Sequence, residues 1–104
     1  MTTHKQFQYP VSVDKAIDVQ FNLEFDGSKV DITNIQIHSN YGSGLPHSPQ
    51  LKEHNGAFKF YKEFESKEGN NFVGKFQYFD DEVSRGIIQK ILKIKEEETP
   101  RFPD

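Results

Sequence analysis

Apolar and polar residues alternate along most of the first forty positions, and a period of two predicts half-buried strands. From Phe7 the series Phe7, Tyr9, Val11, Val13 shares one side, opposite Gln6, Gln8, Pro10 and Ser12. Pro10 has no N–H to give to a ladder, which assigns this strand to an edge or a bulge. After "DKA" the alternation resumes as Ile17, Val19, Phe21, Leu23 and Phe25. A three-residue connection sets Val13 against Ile17, Val11 against Val19 and Tyr9 against Phe21. "FDGSK" then predicts a hairpin with two candidate registers. A type I′ turn on Asp26-Gly27 faces Glu24 with Lys29 and Leu23 with Val30; a turn on Gly27-Ser28 faces Glu24 with Asp31. Opposite charges across the pair favour the first by roughly 0.2–1 kcal/mol, and Asp-Gly is the stronger turn signal.

The third strand runs through Val30 and Ile32, then changes phase to Ile35 and Ile37. One extra residue at Thr33-Asn34 restores the facing, as a β-bulge does. Such a bulge bends a sheet; the alternative is that it aims Asn34, Gln36 and His38 at a site. The stretch His38–Gly56, "HSNYGSGLPHSPQLKEHNG", carries no apolar period. Its second half predicts a short helix, with Ser48 as N-cap, Pro49 at the first helical position and Gly56 just past the end. Beyond it, Phe58, Phe60 and Phe64 predict a fourth strand, "SKEGNN" a turn, and "FVGKFQYF" a fifth strand with Phe72, Phe76 and Tyr78 on one side. Alternation points Tyr61 and Phe79 to the polar face. Gly74 predicts a kink or close packing. A helix from about Asp81 to about Lys95 follows, capped by Asp80 or Asp81. Its residues Val83, Ile87, Ile88, Ile91, Leu92 and Ile94 form an apolar face at about 100° per residue.

Together these elements predict one α+β domain over residues 1–98 and a flexible C-terminal tail over 99–104. The fold expected is a five-strand antiparallel meander, curled, packed on one C-terminal helix in the order β-β-β-loop-β-β-α. In outline it resembles pleckstrin-homology-like and cystatin-like arrangements, a likeness of shape that carries no function. One helix of this length cannot cover five strands. Either the sheet curls tightly around it, or part of the apolar surface is buried against a partner.

Composition sharpens that point. The chain has 104 residues, 34% of them hydrophobic, with ten Phe and four Tyr. The core is therefore single and lean, and aromatic rings supply much of its area. The formal net charge is −3, with both signs mixed along the chain, which weighs against a general polyanion binder. There is no cysteine, so disulfides, thiol nucleophiles and thiolate metal sites are excluded. "MTTHKQFQYP" shows neither a basic n-region nor an apolar h-region, and no apolar run reaches membrane-spanning length. A cytoplasmic location without a membrane partner is the expectation.

Candidate chemistry is sparse. His38, His47 and His54, with Glu53, match no zinc spacing, so no metal and no cofactor is expected. Ser43 in "YGSGL" fits neither a phosphate-binding loop nor a nucleophile elbow. Glu63 and Glu65 read as a solvated charge lattice with nearby lysines. "FKFYKEF" and "GKFQYF" interleave lysines with aromatics as single-strand nucleic-acid binders do, but the net charge opposes it. The long loop remains, and Tyr41, Leu45, His47, Leu51 and His54 form the expected contact surface. The reading that follows is a small non-enzymatic protein-binding module of inhibitor, immunity or adaptor type. Its partner is another protein or a second copy in a homodimer. The alternatives are a ligand-binding or enzymatic pocket inside the curled sheet, lined by Phe21, Phe60, Phe76 and Tyr9, and single-stranded nucleic-acid binding.

Overall fold

The computed structural model describes residues 1–38 and 48–99. These form six strands in two antiparallel sheets of three, followed by one C-terminal helix. β1 (Thr2–Pro10), β2 (Ala16–Asp26) and β3 (Lys29–His38) make the first sheet in that order. β4 (Gln50–His54), β5 (Ala57–Glu68) and β6 (Asn71–Phe79) make the second, and α1 spans Glu82–Glu98. The expected α+β class and terminal helix are present. The expected five-strand meander is corrected to two three-stranded ones.

The difference lies in Ser48–Gly56, where β4 and a tight turn replace the expected short helix. Asn55 and Gly56 both take positive φ, 53° and 83°, the type I′ geometry that an Asn-Gly pair favours. That turn sets Leu51 against Phe60. A helix of one or two turns has too few internal hydrogen bonds to compete with a ladder and an apolar contact.

β2 is the spine of the first sheet, and its Ile17, Val19, Phe21 and Leu23 are fully buried. β1 pairs with it four positions away from expectation: Tyr9 faces Ile17, Phe7 faces Val19 and Lys5 faces Phe21. Pro10 ends the strand because it cannot donate to the ladder. The chain then turns through residues 11–15, closed by the Val11 and Ser12 N–H groups donating to the Lys15 carbonyl at 3.0 and 3.2 Å. Val13 is consequently exposed instead of facing Ile17. β1 is an edge strand, as Pro10 implies.

The β2–β3 hairpin takes the second register, with Glu24 facing Asp31 and Phe25 facing Val30. Gly27, at φ 62°, is the first central residue, and the turn fits type II′. This register brings Phe25 into the ladder against an apolar neighbour, whereas the other leaves it opposite Ser28. An exposed charge pair is worth too little to reverse that choice. The bulge falls where the phase change puts it. Register shifts between Gln20 and Asn22, so Phe21 spans Asn34 and Ile35, and Asn34 adopts φ 52°. Asn tolerates this left-handed conformation better than most residues.

α1 starts at the cap Asp81, which accepts from the Ser84 N–H and the Ser84 hydroxyl, both at 2.8 Å. Ile87, Ile88 and Ile91 join the first-sheet residues and Phe60 in one buried cluster. The acidic C-terminal end opposes the helix dipole. Glu98 is held there by Lys5 of β1 at 2.9 Å, and the Thr99 hydroxyl donates to the Lys95 carbonyl at 2.6 Å. β1 meets the helix twice more. Lys90 Nζ lies 5.2 Å from the centre of the Phe7 ring. The Tyr9 ring rests on Gly86, where a Cβ would overlap the phenol.

That contact gives a test. Gly86→Ala raises helix propensity by about 1 kcal/mol, but overpacking against Tyr9 costs about 1–3 kcal/mol. The single variant is expected to unfold at lower urea concentration than the parent. In a Tyr9→Ala background the same substitution is expected to stabilise. A stabilised single variant contradicts the packing.

Candidate functional site

The second sheet begins in the core and ends outside it. Phe60 is fully buried, with Leu51 and Phe79 partly buried against the same cluster. Phe79 thus faces the core, not the polar side that simple alternation assigned to it. β4 reaches only as far as Tyr61, which faces Gln50. From Lys62 to Gln77 the sheet is a two-stranded arm joined by the Gly69-Asn70 turn, with Gly69 at φ 62°. Its apolar residues stay in water: Phe72 is 71% exposed, Phe76 53%, Phe64 44% and Val73 37%. The radius of gyration, 15.9 Å, exceeds the roughly 13 Å of a compact domain of this size.

Strand alternation and register sort the sheet into two faces. One carries Leu51, Phe60 and Phe79 at its root and Phe64 and Val73 along the arm. The outer face carries Lys52, His54, Tyr61, Phe72, Phe76 and Tyr78. On it His54 stacks on Tyr78 at 4.6 Å between ring centroids, and Tyr61 lies 5.8 Å from Phe76 and 6.0 Å from Tyr78. Lys52 Nζ sits 5.6 Å from the Phe76 ring and 6.0 Å from the Tyr61 ring, within cation–π range. Below this cluster Phe72 stands exposed on the same face. The arrangement can grip an apolar or aromatic partner surface, but it concentrates no positive field. Lys59 is paired with Asp80 at 3.2 Å, and Glu63 and Glu65 share the face with Lys67.

The expected contact residues are divided by the structure. Tyr41, Leu45 and His47 lie outside the described residues, as do Ser43 and the tail residues 100–104. Leu51 and His54 lie on opposite faces of β4: Leu51 packs toward Phe60, and His54 stacks on Tyr78. Sequence alternation placed Phe72, Phe76 and Tyr78 on one side correctly, and Tyr61 on the polar face correctly. It could not show that the two sets share a face. The cross-strand register decides that, because Tyr61 faces Tyr78 and Glu63 faces Phe76.

Of the residues named for an internal pocket, Phe21 and Phe60 are fully buried in the core and Tyr9 packs against the same cluster, whereas Phe76 is on the outer face. A surface cleft of about 330 Å³ does lie between the bulge and the start of β4, lined by Ile32, Thr33, Asn34, Pro49, Leu51 and Tyr61. Among the described residues, Thr33 Oγ1 is buried there without a hydrogen-bond partner. Asn34 and Gln36 lie with His4, Gln20 and Asn22 around a separate shallow polar groove. His38, at the end of β3, faces Asp18. Among the described residues no helix is long and apolar enough to cross a membrane.

No protein-family model, no curated protein and no solved structure matches the chain.

The exposure pattern separates contact residues from core residues in a measurable way. Phe72→Ser is expected to change stability by no more than about 0.5 kcal/mol, as for surface positions generally. Phe60→Ala is expected to cost about 3–5 kcal/mol. Equal losses in urea denaturation would mean that the arm residues are part of the folding core.

Proposed function

We propose that the chain is a small non-enzymatic protein-binding module, acting in the cytoplasm, whose contact surface is the outer face of the second sheet. The observation that carries this reading is the ring cluster Tyr78, Tyr61 and Phe76, rooted by the His54 stack, with the exposed Phe72 farther along the same face. Aromatic anchors with a rim of mixed charge are the chemistry of protein interfaces. The near balance of lysines and glutamates on this face favours a partner of modest charge over a nucleic acid.

A second reading is favoured by one feature, the unpartnered Thr33 Oγ1 in the cleft beside Asn34. A small polar ligand could satisfy it, and the cleft volume falls at the low end of known ligand sites, roughly 300–1,000 Å³.

The immobilised 104-residue chain, exposed to extract, tests the first reading. Tyr61→Ser with Phe76→Ser is expected to abolish capture of a partner retained by the parent and by the control Val13→Ser. Capture insensitive to the face variant but lost on shortening residues 40–47 would move the site to the loop. No specific capture by the parent, together with a small molecule retained in native mass spectrometry, would replace protein binding by the cleft reading.

A further inference from the structure

The arm has an open edge. Glu68 and Asn71 flank the two-residue turn, so they form a hydrogen-bonded pair, and pairing alternates from there. Ser66 with Val73 and Phe64 with Lys75 are then hydrogen-bonded pairs, while Lys67–Phe72, Glu65–Gly74 and Glu63–Phe76 are not. The backbone groups of Phe72, Gly74 and Phe76 therefore point away from β5, and among the described residues no strand meets them. A two-stranded ribbon is marginal in water and gains stability from a third strand or a covered face.

Gly74 sharpens the inference. It costs a strand roughly 0.5–1 kcal/mol relative to Ala, and glycine within a strand marks a bulge, a bend or the close approach of another group. The β5–β6 register is unbroken at Gly74, and no heavy atom lies within 4 Å of where its Cβ would stand. Nothing within the described chain accounts for it. Its same-face strand neighbours, Phe72 and Phe76, are the two most exposed aromatic residues among those described.

We propose that two copies of this chain associate by antiparallel pairing of their β6 strands about a two-fold axis at Gly74. In that register Gly74 faces its own copy, and Phe72 of each chain faces Phe76 of the other. All three pairs use the outward backbone groups. The rings of the other copy then lie diagonally across Gly74, within reach of the space left by its missing side chain. An axis shifted by one residue, at Lys75, sets two like charges opposite each other and is disfavoured. At Gly74, Lys75 faces Val73 of the other copy, and its charge is already engaged by Glu68 at 2.9 Å. The arm also suits a self-partner electrostatically. Lys62, Lys67 and Lys75 balance Glu63, Glu65 and Glu68, so two copies of a chain of net charge −3 meet at a neutral patch. Strand pairing of this length lies in the small, transient class of interfaces, roughly below 1,200 Å² in total. The dimer is accordingly concentration-dependent. This does not rest on the heterologous reading above, and each can fail without the other.

Sedimentation velocity of the full chain over a roughly hundredfold concentration range is the test. The parent is expected to shift from one to two copies as concentration rises. Phe72→Lys with Phe76→Lys places like charges in both facing pairs and is expected to remain monomeric throughout, with unchanged circular dichroism. Phe72→Glu with Phe76→Lys creates two opposite-charge pairs across the axis, and is expected to dimerise in a manner that weakens with salt. A parent monomeric throughout overturns the proposal, as does a dimer indifferent to the double-lysine variant. If both double variants are equally monomeric, the Gly74 register is overturned.

Discussion

The reach of a single helix governs this structure. α1 has one apolar stripe, and Ile87, Ile88 and Ile91 spend it on the inner face of β2 and β3 and on Phe60. A helix surface about 10–12 Å wide shields a few strands and no more. The first sheet is therefore closed, the second is closed only at its root, and everything beyond Tyr61 on β5 lies outside the shield. The hydrophobic content of the chain is low, so no second apolar element is present among the described residues to finish the task.

Phe60 is the joint on which this division turns. It belongs to β5 by hydrogen bonding, faces Leu51 and Phe79 across the ladder, and is buried with the side chains of the other sheet. Polar contacts then fix the helix over the joint. The Asp81 carboxylate accepts from both donors of the buried Ser84, its N–H and its hydroxyl. Lys59 draws Asp80 toward β5, and Lys5 holds the far end through Glu98. These exposed or half-exposed ion pairs add little energy individually. Their part is orientation, since a hydrophobic stripe alone leaves the helix free to rotate and slide.

Local patterns made some elements legible and left others hidden. β2, the Asn34 bulge and α1 with its cap could be read because apolar period and side-chain capping are properties of the segment itself. β4 could not. "QLKEH" has one apolar residue, and it becomes a strand because the Asn55-Gly56 turn delivers it to the edge of β5. The Asn-Gly pair was the available signal, and the helix-start pattern at Ser48-Pro49 outweighed it. The β1 and β2–β3 registers were missed for a related reason. Parity alone is conserved by a shift of two or four residues, so alternation fits several pairings and tertiary burial chooses among them. The outer-face cluster was half legible: alternation groups Phe72, Phe76 and Tyr78, but only cross-strand pairing shows that Tyr61 and His54 join them. Three of the expected contact residues, Tyr41, Leu45 and His47, lie outside the described residues.

The two-stranded arm also has a thermodynamic meaning. Its amides are tied to one neighbouring strand and its rings lie outside the buried cluster, so the free energy that keeps residues 62–77 closed is distinct from the free energy that keeps β2 closed. Backbone deuterium uptake should divide accordingly, with the arm opening through a low-energy local transition and β2 exchanging only on global unfolding. Such a molecule is expected to lose the closed arm by local opening well before its single core unfolds.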